Sequence, residues 1–127
     1  MEVLLDTHAL LWFMNGDEKL SASAREIIHN ADNGIYISIA SIWEIAIKFS
    51  IGKLTLKKGI ENLLARVDEN GFILLEIDTK HIKMVTELPF IHRDPFDRML
   101  VAQAIVENML VMTADENILK HDVSVIW

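Results

Sequence analysis

The stretch Asp94-Pro95-Phe96-Asp97-Arg98-Met99-Leu100 marks the start of a helix. Asp94 is a suitable N-cap, and proline is tolerated at the first helical position because its missing N–H would have no partner there. An apolar stripe follows, formed by Leu100, Val101, Ala104 and Ile105. The pattern predicts a helix that runs to Asn108 and holds Asp97 in its first turn.

Strand and helix patterns alternate along the rest of the chain. Apolar runs predict strands at residues 2–6, 35–38, 72–77, 109–113 and 123–127. Helical spacing predicts helices at residues 7–14, from Ser21 or Ser23 to about residue 30, from Ser41 to about residue 52, and at residues 58–69, 79–88 and 116–120. Such alternation favours an α/β fold with a mostly parallel sheet and helices on both faces.

Two helix starts are predicted from capping signals. Ser41 followed by Glu44 has the spacing of a capping box, and Thr79 precedes a further helical pattern. In a parallel sheet, each strand's carboxyl end leads into a helix's amino end at the same edge, where ligands bind.

Length and composition indicate one domain over residues 1–127. The formal charge of −7 argues against a protein that binds nucleic acid through a general positive charge. It does not argue against a protein that binds phosphate through metal ions. The chain has no cysteine, which excludes a disulfide scaffold and fits a cytoplasmic location. The apolar start Val3-Leu4-Leu5 is too short to span a membrane.

Four acids are expected at one edge of the sheet: Asp6, Glu44, Asp97 and Asp115. Each alone has a simple explanation as a helix cap, which is worth about 1 kcal/mol. Together they would repel one another, since two charges ~4 Å apart cost roughly 4 kcal/mol at an effective dielectric of 20. A divalent cation, or protonation of some members, would relieve that repulsion. Oxygen ligands without cysteine suit Mg²⁺ or Mn²⁺.

The chain resembles the PIN-domain ribonucleases, and within them the VapC-type toxins of toxin–antitoxin pairs. The resemblance covers nearly the whole chain, and four motifs carry it: Asp6-Thr7, Trp43-Glu44, the segment from Asp94 to Ala104, and Thr113-Ala114-Asp115. It implies a three-layer α/β/α sandwich and an endoribonuclease that uses Mg²⁺ or Mn²⁺. It also implies a homodimer and a cognate antitoxin protein.

Carried over residue by residue, the resemblance places Asp6, Glu44, Asp97 and Asp115 on the family's metal-binding quartet. Thr113 falls on the supporting hydroxyl position. Asp94 matches an accessory acid, although its position also favours the capping role. The implied reaction is in-line attack of a metal-activated water on an RNA phosphodiester.

Two other classes of function stay open at this point. A haloacid-dehalogenase-like phosphatase is disfavoured because its chemistry needs a second Asp where this chain has His8. A catalytically inactive partner-binding module with the same fold is disfavoured because all four acids are present.

Several further residues have two readings each. The lysines between Lys48 and Lys58 either steer RNA towards the acids or form a solvated face. Arg98 either contacts phosphate or pairs with a carboxylate. Trp43 is expected to fill the core or an interface rather than to stack on bases.

Overall fold

A computed structural model describes all 127 residues. Its five strands are β1 (Glu2–Leu5), β2 (Gly34–Ser38), β3 (Ile73–Leu75), β4 (Leu110–Met112) and β5 (Val125–Ile126). Its seven helices are α1 (Thr7–Asn15), α2 (Ala22–His29), α3 (Ile39–Ser50), α4 (Gly59–Glu69), α5 (Thr79–Glu87), α6 (Pro95–Glu107) and α7 (Glu116–Leu119). The predicted alternation of strands and helices is confirmed.

The strands form one parallel sheet in the order β3-β2-β1-β4-β5. The central strand β1 pairs with β2 on one side and β4 on the other, so that Leu5 lies opposite both Ile37 and Met112. The strand order reverses at β1. Ligands of open parallel sheets bind beside the carboxyl ends of strands at such a point, which directs attention to the ends of β1 and β4.

Helices cover both faces of the sheet, so the fold is the expected three-layer α/β/α sandwich. Val3 and Leu5 of β1 pack into one apolar cluster with residues of α1, α2, α3 and α4. Leu4, which points to the opposite face, packs into a second cluster with residues of α6 and α7. Burial of β1 on both faces explains its continuous apolar sequence.

Helix α6 begins as the sequence predicts. The Asp94 carboxylate accepts hydrogen bonds from the backbone N–H groups of Phe96 and Asp97, at 2.9 and 3.2 Å. Asn108 ends the helix in a left-handed conformation, with φ of 54°. The first turn that carries Asp97 is therefore fixed by a side-chain cap at the start of a packed helix.

The two other capping predictions are wrong. Strand β2 runs into α3 without a loop, so Ser38 caps the helix by accepting from the Ala40 N–H, and Ser41 already lies inside it. Glu44 therefore belongs to the second helical turn. Helix α5 is capped by Asp78, whose carboxylate accepts from the Lys80 and His81 N–H groups, while Thr79 is the first helical residue.

A buried glutamine connects α6 to the ends of two strands. Gln103 of α6 is fully buried; its Oε1 accepts from the Ser38 hydroxyl at 2.5 Å, and its Nε2 donates to the Glu76 carbonyl at 3.2 Å. These bonds fix α6 relative to the ends of β2 and β3. None of the helices has the length and apolar character that crossing a bilayer requires.

Asp94→Ala should lower the free energy of unfolding by about 1 kcal/mol, because α6 loses its N-cap. Asp94→Asn should retain most of that stability, since an asparagine oxygen accepts the same two hydrogen bonds. Urea unfolding followed by circular dichroism measures both variants. Equal losses in the two would contradict a capping role and indicate that the charge itself matters.

Candidate active site

Asp6 lies directly after β1 and is almost completely buried. Its Oδ1 accepts from the Ala9 N–H at 2.7 Å, which caps α1, and its Oδ2 accepts from the Thr113 hydroxyl at 2.6 Å. Burial raises the pKa of Asp6, while these two hydrogen bonds oppose the rise and the nearby Asp115 adds to it. The carboxyl group is thus held in one orientation by two donors.

Asp115 lies on the neighbouring loop, after β4. It caps α7 by accepting from the Asn117 N–H at 2.8 Å. The Thr113 hydroxyl also accepts from the Asp115 N–H at 2.9 Å while donating to Asp6. Thr113 therefore connects the loops that follow β1 and β4, which is a supporting position between two of the predicted site acids.

Glu44 approaches from α3 and is also buried. Its Oε1 accepts from the Thr7 hydroxyl at 2.7 Å, and its Oε2 lies 2.9 Å from the Lys48 ammonium one helical turn later. The hydrogen bond to Glu44 raises the pKa of Lys48, and the charges of Asp94 and Asp97 add to this effect. Lys48 is accordingly a counter-cation inside the acidic cluster.

Asp97 has the most perturbed carboxyl group of the four. Partial burial is the largest cause, and the negative charges of Asp94, Asp115, Glu44 and Asp6 together help to raise the pKa of Asp97 to about 7. Every other predicted site acid thus acts on this residue. The four carboxyl groups, far apart in the sequence, share one electrostatic environment at the carboxyl edge of the sheet.

The charges of these acids act on one another, but their side chains do not form a ready-made cage of ligands. No three His, Asp or Glu side chains in the structure stand in an arrangement that could hold a metal ion. The reason is visible at two of them, because the oxygens of Asp6 and Glu44 are turned towards Thr113, Ala9, Thr7 and Lys48. Metal binding here would require these side chains to rotate away from their present partners.

The chemistry of the donors nevertheless fits a hard divalent cation. All four groups offer only carboxylate oxygens, and the hydroxyl of Thr113 lies between two of them. The shared negative charge that raises the pKa of Asp97 is the charge that a bound cation would neutralise. The assignment of Asp6, Glu44, Asp97 and Asp115 as metal ligands stays a prediction.

Thr7 is a polar residue of the site that sequence reasoning did not single out. Its hydroxyl donates to Glu44 and lies 3.0 Å from the Ser41 hydroxyl, in a buried contact between α1 and α3. Its only signal in the sequence was its position beside Asp6. Ser41, interpreted there as a cap, instead packs beside Thr7.

The structure decides against a carboxylate partner for Arg98, and it excludes Trp43 from the core while leaving its expected place in an interface a prediction. Arg98 contacts no carboxylate; it is buried and donates to the carbonyl oxygens of Pro89 and Val85, at 3.0 and 3.1 Å. Trp43, expected in the core or an interface, has 60% of its surface exposed. Arg98 therefore anchors the loop before α6, and Trp43 is left available beside the acidic cluster.

Comparison with known proteins is consistent with this geometry. A family model described as PIN domain matches residues 3–123. The fold is similar to VapBC2 from Rickettsia felis bound to a DNA fragment from their promoter, with a TM-score of 0.76 and 16% identity over 100% of this chain and 99% of that chain. VapBC-1 from nontypeable Haemophilus influenzae gives a TM-score of 0.73 and 14% identity, over 99% and 97% of the two chains.

A third similar structure is FitAcB from Neisseria gonorrhoeae, with a TM-score of 0.67 and 20% identity over 98% of this chain and 96% of that chain. No curated protein sequence matches. The fold, the acids at its carboxyl edge and the match over most of the sequence define the class: the chain belongs to the PIN-domain family.

Asp97→Asn should stabilise the metal-free protein at pH 8. In the wild type the folded-state pKa of Asp97, about 7, exceeds the 3.8 of an unperturbed aspartate, so the contribution of Asp97 to stability is complete below about pH 4 and is lost as pH rises through 7. The Asp97→Asn variant does not undergo this loss of stability, because asparagine does not ionise. Because Asp97 is partly exposed, we expect a gain of roughly 1 kcal/mol, or about 4 °C in Tm.

Thermal unfolding in chelator at pH 5 and pH 8 measures this effect. The advantage of the variant should shrink at pH 5, where wild-type Asp97 is mostly protonated. Asp68→Asn, an exposed acid on α4, is the matched control and should show no such pH dependence. A destabilised Asp97→Asn protein at pH 8 would mean that the acids do not repel one another as the structure indicates.

Proposed function

We propose that this PIN-domain protein is a metal-dependent endoribonuclease that hydrolyses RNA phosphodiester bonds, acting through residues 1–127 as a single domain. The observation that carries the proposal is the meeting of distant acids at one sheet edge: Thr113 bonds to both Asp6 and the Asp115 N–H, and Thr7, next to Asp6, donates to Glu44. The charges of these acids, after burial, also raise the pKa of Asp97. A fold held together only by helix caps would gain nothing from this concentration of like charge.

In the proposed site, Asp6, Glu44, Asp97 and Asp115 hold Mg²⁺ or Mn²⁺. A cation bound there supplies Lewis-acid stabilisation of charge on the phosphodiester and makes its water more acidic. Thr113 and Thr7 orient Asp6 and Glu44 through the hydrogen bonds of 2.6 and 2.7 Å. Hydrogen-bonding partners behind the ligands limit the orientations that the two carboxylates can adopt when they turn to a cation, which is how a second layer of residues contributes to a metal site.

We also propose that the chain is the toxin of a VapBC-type toxin–antitoxin pair, that it acts in the cytoplasm, and that it forms a homodimer. The support is the sequence resemblance to VapC-type toxins and the similarity of the fold to structures described as VapBC and FitAcB. An antitoxin would then bind this chain and block the acidic edge of the sheet.

Purified protein should cleave single-stranded RNA in Mg²⁺ or Mn²⁺ and lose that activity in chelator. Asp97→Asn and Asp6→Asn should each lower kcat/KM by at least 100-fold, because each removes a charged ligand from the proposed site. Gel analysis of a labelled RNA measures the products. Asp68→Asn is the control variant, and undiminished cleavage in chelator would contradict the metal mechanism.

Lys48→Met should tighten the binding of Mn²⁺ several-fold. The Lys48 ammonium lies 2.9 Å from Glu44 Oε2, where it competes with a cation for the same oxygen and repels it. Isothermal titration calorimetry of the RNA-free protein measures this affinity. Lys53→Met changes the charge equally on a residue that makes no such contact, and an equal effect in both variants would point to bulk charge instead.

Expression of the chain alone should arrest bacterial growth, and co-expression of its antitoxin should restore it. The same experiment with Asp97→Asn should show no arrest, since the toxic effect requires RNA cleavage. Colony counts after induction measure the outcome. Arrest by Asp97→Asn would separate toxicity from the proposed nuclease site.

A further inference from the structure

A cavity of about 280 Å³ opens beside the acidic cluster, where α3, the loop after α5 and the first turn of α6 meet. Its walls are mostly apolar, and they include three aromatic side chains and one exposed cation. These four residues are Trp43, Phe90, Phe96 and Arg93. The volume lies just below the roughly 300–1,000 Å³ of drug-sized pockets, which suits one small planar group.

Two of the three aromatic side chains of this cavity are strongly exposed. Trp43 has 60% and Phe90 has 74% of its surface in contact with solvent. Trp43 also meets Phe96 edge to face, with ring centroids 5.4 Å apart. Rings placed to stabilise the fold would be buried, so their exposure indicates surfaces that a ligand can cover.

The loop that carries Phe90 is fixed in place. Arg98 donates to the carbonyl oxygens of Pro89 and Val85, and its guanidinium carbon lies 4.9 Å from the centre of the Phe90 ring. This cation–π contact covers one side of the ring. A ligand that stacks on Phe90 would therefore meet a surface already ordered, with little loss of conformational entropy.

The position of the cavity relates it to the proposed chemistry. No acid lines the cavity, but the helices that form it also carry two of the acids: α3 carries Trp43 and Glu44, and the first turn of α6 carries Phe96 and Asp97. A nucleotide chain with a phosphodiester at the acids would place a neighbouring base here. A neutral base can stack on aromatic surfaces because the acids do not repel it as they repel phosphate. Arg93 offers a cation for a flanking phosphate.

We propose that this cavity holds one unstacked base of single-stranded RNA, next to the phosphodiester that is cleaved, and that Trp43 and Phe90 are positioning residues for that base. The proposal rests on the proposed nuclease function and deepens it by naming a subsite. It gives the exposed ring of Trp43 a role in the proposed reaction.

The test uses the full chain and a short single-stranded RNA that carries 2-aminopurine at successive positions around the cleaved bond. Stacking in the cavity should quench 2-aminopurine at one position only. Trp43→Ala and Phe90→Ala should remove this quenching and raise KM roughly 5- to 150-fold, as expected for loss of one base–aromatic contact. Their kcat should change much less.

Trp43→Phe should retain most of the affinity because a ring remains. Phe49→Ala is the matched control, since Phe49 is another exposed aromatic residue of α3 that lies outside the cavity. An RNA that is abasic at the identified position should bind wild type and Trp43→Ala with equal affinity, because the contact is already absent.

The outcomes separate this proposal from the nuclease proposal. If Trp43→Ala and Phe90→Ala keep the KM and the quenching of the wild type while Asp97→Asn is inactive, the subsite is overturned and the nuclease proposal stands. Failure of the wild type to cleave any RNA would overturn the nuclease, and absence of quenching would then overturn the subsite as well. Loss of antitoxin binding alone in Trp43→Ala would show that a peptide occupies the cavity, which also overturns the proposal.

Discussion

Electrostatic repulsion among carboxyl groups at one edge of a parallel sheet is the constraint on which the rest of this structure depends. Asp6, Glu44, Asp97 and Asp115 are drawn together because strands β1, β2 and β4 end at the same edge and α6 begins there. The protein tolerates the cluster through hydrogen bonds from Thr7, Thr113 and backbone N–H groups, through the Lys48 ammonium, and through retention of a proton by Asp97 near neutral pH.

Two of the four acids cap a helix and also belong to the proposed site. Asp6 and Asp115 each cap the helix that follows their strand, so a capping explanation is correct for them without excluding a second role. It fails for the other two acids. Asp94 supplies the cap of α6 in place of Asp97, and Glu44 lies in the second turn of a helix that Ser38 caps. Neither of these two acids caps a helix, so capping does not explain their charge.

The order of strands and helices was predictable because hydrophobic periodicity and the Asp-Pro helix start are local properties. Errors arose where neighbouring elements overruled a local signal. The Ser41 and Glu44 spacing matched a capping box, but β2 continues into α3 without a loop and leaves the cap to Ser38. Arg98 was free to contact phosphate on sequence grounds, whereas the fold buries it against the carbonyl oxygens of Pro89 and Val85.

By itself the sequence determined the parallel α/β sandwich and singled out four acids near strand ends and helix starts, since both depend on patterns within a few residues. Only the tertiary structure decided that Thr113 connects Asp6 to Asp115, that Lys48 and Thr7 hold Glu44, and that Trp43 and Phe90 line an open cavity beside them. Those contacts depend on how α1, α3 and α6 pack around one sheet edge. Residues tens of positions apart meet there, and no local pattern encodes their distances.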